Sequence, residues 1–151
     1  MWQAHLMRAY PLIELNRPAE AILECDKAFD LSGGLSYSLA LRGYALTRLG
    51  RSADAQAVVR QLEAMSRERY VPPHHLALVT YALGDVAKTL SHLRRALTER
   101  DVYVTFLGTD PKWDRLRTVP EFQEILARAQ LLDVSKRIAV PAQPPASPES
   151  R

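Results

Sequence analysis

The chain has 151 residues, 47% of them hydrophobic and 25% charged, and its 20 basic and 17 acidic residues leave a net charge of +3. Such values fit one folded domain with its own core and exclude wholesale disorder. The charges alternate in sign, so no nucleic-acid partner is expected. The single cysteine, Cys25, excludes an intrachain disulfide and reads as a small core hydrophobe. No run reaches the roughly 18 apolar residues of a membrane span, and MWQAHLMRAYPLIEL lacks the form of a secretory leader, so a soluble cytoplasmic chain away from the membrane is expected.

The first predicted helix begins near Trp2. Pro11 lies inside it and is expected to bend or shorten it, because proline removes a backbone hydrogen bond. A second helix is predicted over 18–29, with Pro18 suited to its first turn, and a loop over 30–36. Helices follow over 37–49 and 53–68 around a turn at Gly50, where Leu39, Gly43, Leu46 and Leu49 keep helical spacing. Pro72 and Pro73 open a helix running to Leu83, while Pro72 holds Val71 out of helical geometry. Gly84 and Asp85 then lead into a helix over 86–99.

These pairs repeat. Asn16, Gly50 and Gly84 stand 34 residues apart, preceded by Leu15, Leu49 and Leu83. Seven residues before each lies Ala9, Gly43 or Ala77, and five after lies Ala21, Ala55 or Thr89. Further in phase are Cys25, Val59 and Leu93, then Ala28, Leu62 and Ala96. A period of this length marks stacked helical hairpins, with Gly or Asn at a left-handed turn and small residues where helices cross.

With these positions the chain resembles the tetratricopeptide repeat over about two thirds of its length. It departs from the family pattern at Thr89 and Leu62, where alanine is usual, and at Arg8 and Arg42, where leucine is usual. The resemblance implies an all-α, right-handed superhelical solenoid of antiparallel helix pairs, with three repeats over about 2–35, 36–69 and 70–103 and C-terminal capping helices over about 104–132. Residues 1–132 are thus expected to form one repeat domain.

Ala40, Tyr44 and Arg48 share one helix face, as do His74, Leu78 and Ala82. The family's first helices line a concave surface, so the resemblance implies a partner-binding groove of Tyr37, Tyr44, Thr47, Arg48, His74, Leu78 and Tyr81. Tyr10 and Ile13 extend it. Tyrosines beside an arginine suit a peptide or helix, although the same rings can simply pack between repeats. Lysines and asparagines that would clamp a free C-terminal carboxylate do not stand at the corresponding positions.

Beyond Asp101, residues 102–107 (VYVTFL) are strand-like in composition but have no second strand to pair with, and are read as helical or extended. Asp110 offers a helix cap before Pro111, and Thr118 and Glu121 have capping-box spacing ahead of a helix over 122–131. Phe106, Leu107, Asp110, Pro111, Trp113, Asp114, Leu116, Arg117, Pro120 and Phe122 resemble the segment that closes repeat arrays in bacterial signalling proteins with kinase, nucleotide-cyclase or DNA-binding output domains. Trp113, Leu116, Phe122, Ile125 and Leu126 are read as the cover of the last repeat. Residues 133–151, rich in proline, read as a disordered tail whose PAQP and PASP could adopt the polyproline conformation.

No catalytic motif, metal cluster or phosphate loop is present, so neither an enzyme nor a cofactor is expected. Adjacent His74 and His75 point in different directions on a helix and read as surface or first-turn residues. The expected function is a non-catalytic module that binds a protein or peptide partner. Alternatives are a regulatory or assembly arm of a bacterial signalling system and, more remotely, an RNA-binding helical repeat. Trp2, Leu6 and Met7 mark a candidate homodimer surface on the N-terminal repeat.

Overall fold

The computed structural model describes residues 1–130. Among them are seven α-helices, two 3-10 helices and no strand. α1 (Trp2–Glu14) packs on α2 (Pro18–Ser32), α3 (Ser36–Arg48) on α4 (Ser52–Glu68), and α5 (Pro73–Ala82) on α6 (Val86–Thr98). Between pairs, α3 lies mainly against α2 and also touches α1, while α5 lies against α3 and α4. Short 3-10 helices at Val102–Phe106 and Pro111–Leu116 precede α7 (Pro120–Arg128). The chain divides into two compact units, Met1–Val104 and one beginning at Thr105. The tail expected over 133–151 lies outside the described residues.

The 34-residue period is carried by backbone hydrogen bonds. Asn16, Gly50 and Gly84 hold left-handed φ angles of 57°, 73° and 81°. Their N–H groups donate to the carbonyls of Ile13, Thr47 and Tyr81, and those of Arg17, Arg51 and Asp85 donate to Leu12, Leu46 and Thr80. This Schellman arrangement satisfies carbonyls that a helix end otherwise strands, and it requires a residue that accepts positive φ. The following helices also start alike, with Ala21, Ala55 and Thr89 donating to the carbonyls of Arg17, Arg51 and Asp85.

The small residues in phase are buried where helices meet. A Cβ on Gly43 would stand 2.8 and 2.9 Å from the two Val79 methyls and 3.1 Å from a Val58 methyl, so α3 approaches α5 as closely as it does only because that side chain is missing. Thr89 replaces an alanine without leaving a stranded hydroxyl. Its Oγ1 donates to the Asp85 carbonyl at 2.7 Å and lies 3.1 Å from Thr80 Oγ1. Cys25 is buried, and that burial pushes its thiol up to about 12, in keeping with a packing role.

Two local expectations are corrected. Pro11 does not shorten α1, which runs unbroken from Trp2 to Glu14. The proline and Met7, whose carbonyl it cannot serve, are both exposed residues, and Leu15 still donates to the Pro11 carbonyl at 2.9 Å. The capping box of Thr118 and Glu121 does not form. Pro120 occupies the first helical position, which makes Val119 the cap residue and places Thr118 outside the helix. Residues Val102–Phe106 form a 3-10 helix, in line with the helical alternative read for 102–107. Likewise, the Asp110 carboxylate caps as expected, accepting from the Lys112 N–H at 3.0 Å at the head of a 3-10 helix.

Candidate partner-binding face

On α3, Tyr44 and Arg48 are one turn apart and form a unit. The Arg48 Nη2 donates to the Tyr44 hydroxyl at 3.2 Å, and the guanidinium carbon lies 5.5 Å from the ring centroid. The arrangement holds a cation over an aromatic face. Hydrogen bonding to Tyr44 is the largest influence raising the Arg48 guanidinium above its ordinary value, so the charge is permanent. Thr47 turns its hydroxyl back to the Tyr44 carbonyl at 2.7 Å, which fixes its rotamer.

The eight predicted groove residues divide by exposure. Arg48 is exposed, and Tyr10, Tyr37 and Thr47 are half-buried. Tyr44, His74, Leu78 and Tyr81 are buried, with Leu78 wholly enclosed, and Ile13, which was expected to extend the row, is buried as well. The cause lies in α5, where every residue from Pro73 to Tyr81 is buried. A helix apolar on all sides belongs inside, so its row of His74 and Leu78 serves packing first.

His74 and His75 do occupy the first turn of α5, but they are buried rather than on the surface. The His74 ring stacks on Tyr103 with centroids 3.9 Å apart and an interplanar angle of 17°, and Tyr103 also stacks on Tyr37 at 5.6 Å. Asp101 accepts from the His74 N–H at 3.1 Å through one carboxylate oxygen and from the Tyr103 N–H at 3.1 Å through the other. That bridging carboxylate pins the chain after α6 to the head of α5. His75 Nδ1 lies 3.0 Å from Ser36 Oγ at the start of α3, while its Nε2 is buried without a hydrogen-bond partner. Burial alone pushes its imidazole down to about 4, so the ring is neutral at neutral pH.

Neither Asp101 nor Tyr103 was found in the sequence, because both lie past the last repeated position. The aspartate two residues ahead of Tyr103 is a turn signal, but it does not say which rings the tyrosine joins. A surface cavity of about 370 Å³, lined by Gln56, Arg60, Glu63, Asp85 and Lys88 among others, mixes both signs of charge and presents no convergent set. Among the described residues no three His, Cys, Asp or Glu side chains gather as metal ligands, and no helix is long and apolar enough to cross a membrane.

The face thus offers the exposed cation Arg48, with part-exposed Tyr10 near enough to act on its charge and buried Tyr44 behind it, while Tyr37 stands at the opposite end of α3 among His74, His75 and Tyr103. Compared with known proteins, the chain matches no family model, no curated protein and no solved structure.

Proposed function

We propose that this chain is a tetratricopeptide-like solenoid acting as a non-catalytic interaction module, and that it binds a peptide or helix of a partner protein along its first helices. The observation that carries this reading is the recurrence, every 34 residues, of the same turn hydrogen bonds and helix pairing. Such stacking leaves the first helices of successive units side by side and makes an extended binding surface. Arg48, held over Tyr44, supplies a preorganised cation for a partner carboxylate or carbonyl, and Tyr10 and Tyr37 supply apolar contact at small entropic cost.

Affinity capture followed by mass spectrometry tests the reading with the natural chain, Arg48→Glu and Tyr10→Ala. Both side chains have exposed surface, so both variants should keep the natural helical ellipticity. A partner held by the natural chain should be lost from Arg48→Glu and weakened by Tyr10→Ala. Equal capture by all three folded proteins would overturn the site.

A second reading rests on the unit beginning at Thr105, whose residues resemble the closing segment of bacterial signalling arrays. Arg117 organises it, donating from Nη1 to the Gly108 carbonyl at 2.9 Å and from Nε to Asp114 Oδ1 at 2.6 Å. On this reading the module is a regulatory or assembly arm for a kinase, nucleotide cyclase or transcription regulator. Co-purification with a chain bearing such an output domain supports it, and capture only of unrelated partners counts against it.

A further inference from the structure

We propose that the outward face of α1, formed by Ala4, Met7 and Pro11 with Arg8 beside them, is a docking surface for a helical hairpin of a partner protein. That hairpin presents a small residue to Pro11 and a carboxylate to Arg8. The inference does not depend on the groove reading above.

It rests on comparing equivalent positions. Ala4, Met7, Arg8 and Pro11 are all exposed, and Met7 keeps 78% of its surface. Moving 34 residues on, Ser38, Leu41 and Ala45 have no exposed surface at all, and Arg42 is half-buried. After another 34, His75, Leu76 and Val79 are buried and Pro72 is half-buried. The covering elements belong to the preceding helix pair in both cases. Val79 meets α3 at Gly43, His75 meets Ser36, and Arg42 Nε forms an ion pair with Asp26 Oδ1 of α2 at 2.9 Å, without the alignment of a hydrogen bond.

The face of α1 is therefore continuous in register with two interfaces that this chain already makes. Their chemistry specifies the occupant. Where Val79 meets its neighbour, that neighbour is glycine, because two helices approach closely only over a small residue. Where Arg42 meets its neighbour, an aspartate stands opposite. Arg8 holds the same position with its side chain 70% exposed, and its one ion pair among the described residues is a distant 3.9 Å contact to Glu24, a carboxylate already bound by His5 at 2.7 Å.

A second copy of this chain fits poorly end to end. The residue equivalent to Asp26 on α6 is Arg94, which would bring like charge against Arg8. A partner hairpin with an acid at that position meets both requirements, the steric and the electrostatic.

The test adds a second copy of residues 1–34 directly before Met1, which keeps the 34-residue register and supplies Ala9 and Asp26 in the required places. The joined hairpin binds intramolecularly, at high effective concentration. Maleimide labelling of Met7→Cys, at the original Met7, reports whether the face is covered. The chain's own Cys25 is buried with its thiol pushed up to about 12, and Cys25→Ser in the added copy removes the second thiol, as it does in any peptide of residues 1–34.

Labelling should be at least tenfold slower in the lengthened chain than in the natural one, with a higher urea midpoint. Asp26→Arg in the added copy alone should restore at least a threefold faster rate. An unchanged labelling rate overturns the proposal, whether or not the added residues become helical. If the fusion loses the ellipticity of the natural chain, a peptide of residues 1–34 supplied in trans decides by the same protection assay, and no protection there is equally negative. Labelling that slows as the natural chain is concentrated assigns the face to a second copy and overturns the partner hairpin.

Discussion

Met7 and His75 occupy the same register on helices 68 residues apart, yet Met7 keeps 78% of its surface and His75 only 3%. The apolar side chain is outside and the ionisable one is inside. Local preference would order them the other way, so the neighbouring helix pair decides burial here and the residue's own hydrophobicity does not. Leu41, between them in the series, is wholly buried and shows the position filled by the residue type it favours.

The largest expected effect tests that ordering directly. Leu41→Ala should cost about 2–5 kcal/mol in urea unfolding through lost burial and the cavity left behind. Met7→Ala, at the same register, should change stability by less than about 0.5 kcal/mol. Similar losses at both sites would mean that the exposure difference does not describe the chain in solution.

The next effect concerns His75. Its imidazole is lowered from 6.5 to about 4, so between those values the unfolded chain binds the proton and the folded chain does not. Stability from this group is therefore complete above pH 6.5 and falls as pH drops toward 4, by about 3 kcal/mol. Urea midpoints at pH 7 and pH 4.5 should show the loss, and His75→Gln should flatten it relative to the natural chain. An equally steep acid loss in that variant would assign the effect to other groups.

Gly43→Ala sharpens the comparison at the closest helix approach. The added methyl must displace Val79, costing about 1–3 kcal/mol by overpacking, against a gain of about 1 kcal/mol in helix propensity. A net loss is expected, where the opposite change at the equivalent α1 position, Ala9→Gly, loses helix propensity without relieving any crowding. A more stable Gly43→Ala would show that α3 and α5 do not approach as closely as described. The smallest effect is at the ion pairs. Removing Arg42 from its part-exposed pair with Asp26 should cost no more than about 1 kcal/mol, and Arg8→Ala nearly nothing, as thermal unfolding at two salt concentrations would show.

The helices and their turns were legible in sequence because each depends on few neighbours. A left-handed turn needs Gly or Asn at one position, and a close crossing needs a small residue, so Asn16, Gly50, Gly84 and Gly43 each announce a local requirement. Pro11 misled because its cost depends on which side of the helix it faces. Thr118 misled because Pro120, two residues on, already claimed the start of the helix. The candidate face was legible only in part. Arg48 and Tyr44 share a helix row, which spacing shows, but the burial of Leu78, Tyr81 and His74 follows from what surrounds α5.

The sequence alone determined the period, and with it the turns and the helix order, because those are set by backbone geometry within one hairpin, while a small residue such as Gly43 marks where the next hairpin comes close. Tertiary packing determined which members of each equivalent set reach water. That choice brought Tyr103 and Asp101 over the head of α5, enclosed His75 without a partner for its Nε2, and left Met7 and Arg8 open. Exposure is a property of the neighbour as much as of the residue, and the neighbour of α5 lies in a different hairpin while the outward face of α1 has none among the described residues.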